Sequence, residues 1–508
     1  MSGRLAWSFA RVEPLPALAG GFSDIGGRVH VGPVKVGVFH PDIIGILAAP
    51  ILEQTPMTVI DTTPPTPPAG SASAWSPGSN DQTAFGWTPT VKKHVTCPHC
   101  WKRFHIGDIA WVARHEKLRG DPLAGPDAMR RFVPTRFNLA GEAIDAAGQP
   151  CQQLACPACH LPIARGLLEA RQLYLSLIGV PGSGKSYLTA AMSWHLRRVL
   201  PEKFGVGFSD VDPAGNQALI DHEATLFLAD DPERPVSIEK TQMQGAHYDP
   251  IQMGEQTVLL ARPFQFMLTD QRGRPAADAD PNTAPVAPPL PRVLNLYDNA
   301  GEHFLPGADT TLTPGTQHLA RANLLMFLFD PLQEPRVRAA LGQSADDPQV
   351  KRPHHAARQD TVLNEMGQRV RRYAGLSASA QLEQPLLVLV GKADAWAEHA
   401  GLDWGTDDEP VVRQADGTVA VDIGLIEKTS DTTRRWLESH APEFVALAEG
   451  LHRTVRYLPV SALGGPPELS ADGSLLLVRP GHLRSRWVTA PVLYALSKWS
   501  SGVLPAAS

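Results

Sequence analysis

Leu173-Tyr174-Leu175-Ser176-Leu177-Ile178-Gly179-Val180-Pro181-Gly182-Ser183-Gly184-Lys185-Ser186 is the stretch that decides the fold of this chain. An apolar, strand-like run leads into Gly179–Ser186, a complete GxxxxGKS pattern. Glycines there let successive backbone N–H groups turn inward on an anion. Lys185 reaches the outer phosphates, and the Ser186 hydroxyl completes the coordination of Mg²⁺. Gly179, Gly182, Ser183, Gly184, Lys185, Ser186 and the adjoining Tyr187 are the expected phosphate-side residues. Leu188, Ala191, Met192, His195, Leu196 and Val199 then recur at helical spacing, which predicts a helix that opens at the loop and stops at Pro201. The chain is expected to bind a nucleoside triphosphate.

Outward from the loop, strands and helices alternate. Leu173–Ile178, Phe264–Leu268, Val293–Tyr297, Leu324–Phe329, Leu386–Val390 and Val455–Val460 are apolar runs of the kind found in parallel strands covered on both faces. The expected fold class is α/β, a mostly parallel sheet with helices on both faces, spanning residues 171–500. Insertions are expected at 271–290, 333–384 and 398–453, with a helix from Asp360 to Tyr373. Residues 1–90, rich in Pro, Thr, Ser, Gly and Ala from Glu53 onward, bury too little apolar surface to offset ordering entropy and are expected to be largely disordered.

The chain has 508 residues, and its formal charge of −6 is mild for that length. No long-range steering toward nucleic acid or an anionic membrane follows from it. The apolar stretch Val29 to Ile51 is interrupted by Lys35, His40, Pro41 and Asp42, so it is a poor membrane span, and no secretory signal is evident. Of five cysteines, four lie in CxxC pairs, which points to metal binding in a reducing compartment. The expected location is the cytoplasm.

Three further elements narrow the nucleotide. Val293-Leu294-Asn295-Leu296-Tyr297-Asp298-Asn299-Ala300-Gly301-Glu302 is a strand ending in DxxG: Asp298 would hold Mg²⁺ through water, and the Gly301 N–H would sense the γ-phosphate. Leu386-Leu387-Val388-Leu389-Val390-Gly391-Lys392-Ala393-Asp394 is similar to an [NT]KxD element, in which Asp394 accepts from guanine N1 and N2 and Lys392 packs along the base; Gly391 stands where Asn is usual. Ser461-Ala462-Leu463 is similar to an SA[KL] element contacting guanine O6. All four motifs follow apolar strands, in the order of a Ras-like GTPase. Glu302 occupies the position of the water-orienting residue, and Thr241, with Thr257 as a rival, is the candidate switch threonine for Mg²⁺. An ATPase and a nucleotide-bound scaffold with little turnover remain alternatives.

Cys97-Pro98-His99-Cys100 and Cys156-Pro157-Ala158-Cys159 are paired knuckles, each able to present two thiolates to one tetrahedral Zn²⁺. They define an expected zinc-ribbon-like module over 91–164, in which Trp101, Phe104, Trp111, Phe132 and Phe137 form an insertion or a small core. Cys151, and less so His99, His105 and His160, are rival ligands. Lys92, Lys93, Lys102, Arg103, Arg114, Lys117, Arg119, Arg130 and Arg131 make the module locally basic, which a solvated face explains as well as nucleic acid does.

Together, the two CPxC knuckles, the GxxxxGKS loop and Tyr297-Asp298-Asn299-Ala300-Gly301-Glu302-His303 resemble the bacterial double-GTPase family, specifically its second type. The resemblance spans roughly Thr96 to Leu463. It implies a Ras-like GTPase fold related to translation factors, a place in bacterial conflict or defence systems, and a partner GTPase or adaptor protein. Family roles transfer to Lys185, Ser186, Asp298, Gly301, Lys392 and Asp394.

Overall fold

The computed structural model describes residues 91–238, 248–271, 291–305, 314–342, 347–351, 358–404, 409–473, 475–500 and 503–507. The expectations for residues 1–90 and 272–290, and Thr241, lie outside the described residues. The rest is mixed α/β. A seven-stranded sheet is formed by β1 (Arg171–Gly179), β2 (Val206–Asp210), β3 (Phe264–Asp270), β4 (Arg292–Asp298), β5 (Leu324–Phe329), β6 (Leu386–Val390) and β7 (Val455–Pro459). Its order is β2-β3-β4-β1-β5-β6-β7. Strands β4, β1, β5, β6 and β7 are mutually parallel, whereas β3 is antiparallel to both its neighbours. The sheet is therefore mixed, with only β3 running against the others.

The apolar runs are explained by burial on both faces. Leu-Leu-Met-Phe-Leu-Phe of β5 and Leu-Leu-Val-Leu-Val of β6 are buried throughout. Successive side chains of a strand point to opposite faces, and here they enter two different cores. Leu324, Met326 and Leu328 pack with helix α1 (Lys185–Phe204), while Leu325, Phe327 and Phe329 pack with α2 (Gln359–Ala374) and α4 (Pro442–Leu451). The helix α3 (Ile423–His440) gives Ile426 to the first core and Trp436 and Leu437 to the second. Segments 333–384 and 398–453 thus include helices that cover the sheet, not only surface insertions. Among the described residues no helix is long and apolar enough to cross a membrane.

Two details differ from the sequence reading. Helix α1 runs past Pro201 to Phe204 and ends where Gly205, at φ 60°, donates its N–H to the Leu200 and Pro201 carbonyls. Proline removes a single backbone donor near the end of the helix, and the left-handed glycine makes the actual stop. Strand β2 carries Gly207, Ser209 and Asp210, so its apolar signal is limited to Val206 and Phe208. It follows Gly205 directly, and a Cβ at Gly207 would lie 2.5 Å from Thr269 Oγ1 on β3.

The module from Val91 contributes short antiparallel strands, four of them in one small sheet: Pro162–Ile163, Leu154–Ala155, Ala110–Val112 and Arg131–Phe132. Its core of Val95, Phe104, Trp111, Leu154 and Ile163 is continuous with Val293 of β4 and with Ile251, Val258 and Leu260. The last three belong to a hairpin of Tyr248–Met253 and Gln256–Ala261. Phe137, by contrast, is exposed.

Gly367 lies mid-way along α2, where glycine is a poor helix former. A Cβ there would sit 2.9 Å from Leu451 Cδ2 of α4, so the helices approach too closely for a larger residue. Gly367→Val is expected to destabilise the protein by about 1–3 kcal/mol through overpacking, measurable by urea unfolding. A neutral or stabilising result would contradict this packing.

Candidate functional site

Because β4, β1, β5, β6 and β7 run parallel, their C-terminal ends share one edge of the sheet. Such edges are where ligands bind in open α/β sheets. At the end of β1 the GxxxxGKS loop takes the shape its glycines permit: Gly182 and Gly184 have φ of 75° and 95°. Gly179 has no room for a side chain, since its Cβ would meet the Leu328 carbonyl oxygen at 2.7 Å. Lys185 is buried, and its Nζ donates to the carbonyls of Gly179 and Val180 at 2.9 and 3.0 Å. Burial pushes its pKa down, while the nearby carboxylates of Asp298 and Glu302 oppose the shift. Ser183 Oγ is buried with no partner among the described residues. The loop therefore folds a cation and a buried hydroxyl around the place an anion would fill.

At the end of β4, Asp298 is buried and Gly301 presses against the first loop. A Cβ on Gly301 would meet Gly179 O, Pro181 N and Val180 C at 2.6–2.8 Å. The turn Gly301–Phe304 is held from two sides. The Tyr248 hydroxyl hydrogen-bonds His303 Nδ1 at 3.0 Å, and the Arg369 guanidinium of α2 lies 5.1 Å from the centre of the Phe304 ring. Burial, aided by the Arg369 charge, lowers the His303 pKa, which favours a neutral imidazole. Of the threonine candidates, Thr257 is exposed in the hairpin, and its hydroxyl accepts from Gln252 Nε2 at 2.8 Å.

The loops after β6 and β7 meet each other. Ser461 Oγ donates to Asp394 Oδ1, the Ala393 N–H donates to Val460 O at 3.1 Å, and burial pushes the Asp394 pKa up. Lys392, at φ 54°, ion-pairs with Asp330 at 2.7 Å. Gln333 donates both to Asp330 and to Pro181 O, at 3.0 and 3.3 Å. A continuous hydrogen-bonded path thus runs from the GxxxxGKS loop to the GKAD loop. Asp330 and Gln333 follow the apolar run Leu324–Phe329 and carry no motif that marks them in the sequence. At Gly391 space is tight: a Cβ would lie 3.1 Å from Leu328 Cδ1. The loop is anchored instead by Trp396 Nε1, which donates to Gly391 O at 2.8 Å. Ala462 accepts from Ser485 through its carbonyl at 2.7 Å.

A second site is formed by Cys97, Cys100, Cys156 and Cys159, whose sulfurs all lie within 4.8 Å of one another. The two knuckles are near copies. In each, the first cysteine's carbonyl accepts from the residue after the second cysteine, Trp101 or His160, at 3.0 Å. Both of those residues adopt φ 61°. Backbone N–H groups of His99 and Ala158 each reach a knuckle sulfur at 3.4 Å. Two cross-knuckle pairs lie at 3.8 Å (Cys97–Cys159) and 3.7 Å (Cys100–Cys156). A tetrahedral ion with metal–sulfur bonds of about 2.3 Å requires sulfur–sulfur edges of about 3.8 Å. Burial and the neighbouring sulfurs push the Cys97 thiol well up, so a bound dication would offset the cost of gathering thiolates here. The donor set and spacing fit a metal such as zinc.

The rival ligands are engaged elsewhere. Cys151 faces Asp145 and Gln149 O at 3.9 and 3.5 Å. His160 Nδ1 pairs with Asp121 at 2.8 Å, His105 accepts from the Gly107 N–H, and His99 Nε2 lies 3.2 Å from Pro162 O. Arg131 Nε also donates to His160 O at 2.7 Å, so part of the module's basic character is structural.

No protein-family model matches the chain. It is similar to a protein of Mycolicibacterium smegmatis named "Putative ESX-1 scaffolding and assembly protein SaeC", 25% identical over 354 residues that cover 64% of this chain and 76% of that one.

Purified protein is expected to carry about one metal ion per chain. Cys97→Ser and Cys156→Ser should each lose it, while Cys151→Ser should retain it, as read by elemental analysis. Metal-free wild-type protein, or loss of metal in Cys151→Ser, would contradict the assignment.

Proposed function

We propose that this chain is a Mg²⁺-dependent GTP-binding and GTP-hydrolysing switch with a Ras-like P-loop fold and a structural zinc site. One observation carries the reading: four motif loops, scattered from Gly179 to Ala462, lie at one edge of the sheet in two contacting pairs that Gln333 and Asp330 join. The strand order also supports it. With β2 set aside as an added edge strand, the order β3-β4-β1-β5-β6-β7, with β3 alone reversed, matches the arrangement expected of such a GTPase.

In this reading the loop amides and Lys185 bind the phosphates, Lys185 leaving its contacts with the loop carbonyls to do so. The carboxylates of Asp394 and Asp298 serve opposite ends of the nucleotide, guanine N1–H and N2–H₂ at one and Mg²⁺ at the other. The Ser186 hydroxyl would also help hold the ion, and Mg²⁺ when bound would supply charge neutralisation on the phosphates. Glu302 orients the attacking water. A carboxylate there adds negative charge near the γ-phosphate, which favours slow intrinsic turnover relieved by an arginine from a partner, a second GTPase or an adaptor. Cys97, Cys100, Cys156 and Cys159 would hold Zn²⁺.

A second reading, a nucleotide-bound scaffold with little turnover, is favoured by the name of the mycobacterial relative. Single-turnover release of labelled phosphate, with and without a candidate partner, separates the two.

GTP and GDP are expected to raise the melting temperature far more than ATP, with GTP preferred by roughly a hundredfold because adenine leaves the Asp394 carboxylate unpaired. Lys185→Ala should abolish the shift without unfolding the protein. Asp394→Asn should move preference toward xanthine nucleotides. Equal shifts with ATP and GTP would remove the guanine reading and leave only a nucleotide-binding loop.

A further inference from the structure

The first cysteine knuckle is hydrogen-bonded to the strand that leads into the turn carrying Gly301 and Glu302. Tyr297, the residue before Asp298, donates its hydroxyl to the Pro98 carbonyl inside the knuckle at 2.5 Å, across 199 residues of sequence. Its ring stacks on His318 at 4.2 Å and lies 5.8 Å from Trp101, the residue that closes the knuckle in a left-handed conformation. On the other side, His99 lies 3.8 Å from Asp249. The neighbouring residue, Tyr248, bonds His303 through its hydroxyl. Trp101, Tyr248 and Tyr297 form one buried cluster. Two tyrosines therefore tie the knuckle to both sides of Asp298–His303.

Packed, hydrogen-bonded clusters of this kind are not continuously deformable; they hold one arrangement or change to another. The turn they hold is also locked to the phosphate loop by the Gly301 contact. Movement of Gly301 or Glu302 must strain either the Tyr248–His303 pair or the Tyr297–Pro98 bond. We propose that the cysteine knuckle is the readout of the nucleotide state, with Tyr297 and Tyr248 as positioning residues that couple the Asp298–His303 turn to Cys97 and Cys100. This rests on the nucleotide-switch reading above. Coupling between two sites is reciprocal, so nucleotide state must alter the hold on the metal, and metal must alter nucleotide preference.

The test is zinc release to a chromogenic chelator from protein loaded with GDP or with a non-hydrolysable GTP analogue. Wild-type rates should differ by about fivefold or more. Tyr297→Phe keeps the ring packing and removes only the bond to Pro98; it should retain zinc and GDP binding while the two rates converge. Tyr248→Phe should act alike and serves if Tyr297→Phe does not fold. The equilibrium affinity ratio for the two nucleotides should change on metal removal in wild type but not in Tyr297→Phe. Equal release rates in nucleotide-loaded wild type, or an undiminished difference in both variants, would overturn the coupling while leaving the nucleotide reading intact. Failure of wild type to bind either nucleotide would overturn both.

Discussion

The backbones of Gly301 and of Gly179–Pro181 lie so close that not even a methyl group fits between them. This contact joins the loop after β4 to the loop after β1, and the remainder of the candidate site depends on it. It fixes how near the Asp298 and Glu302 carboxylates come to Lys185. It also makes the position of one loop sensitive to anything that occupies the other. Parallel pairing of β4 with β1 and of β1 with β5 sets the register that makes the contact possible. The Gln333–Asp330–Lys392 path then extends the same edge to the GKAD loop.

Much of this fold is legible in the sequence because the sheet is covered on both faces. Strands such as Leu386–Val390 have no polar side to disguise them, and all six apolar runs correspond to strands. Strand β2 escapes the same logic. Its pairing with β3 depends on Gly207 allowing a close crossing, and Ser209 and Asp210 give no apolar signal. The helix end escapes for a related reason: Pro201 is a strong sequence mark, but one missing donor near a terminus costs little compared with the burial of Phe204.

The site is legible in part. Motif spacing brings Gly179–Ser186, Asp298–Gly301 and Lys392–Asp394 to attention, and the repeated CPxC pattern identifies all four clustered cysteines. What spacing does not reveal is how a departure is compensated. Gly391 stands where Asn is usual, and its place beside Leu328 makes a side chain a tight fit, while Trp396 supplies the anchor. Tyr297 reads as a core residue of a buried strand. Its hydroxyl partner, Pro98, is too distant in sequence for any periodicity to indicate. For the same reason the metal module reads as a separate domain, although its core continues into Val293 and the Tyr248–Ala261 hairpin.

In the proposed function four separated loops form one nucleotide pocket. Amide hydrogen exchange with and without GDP and Mg²⁺ tests it most directly, because protection is read loop by loop. Bound nucleotide is expected to slow exchange together in 179–187, 298–303, 391–395 and 461–464. Protection confined to 179–187, or absent altogether, would contradict it.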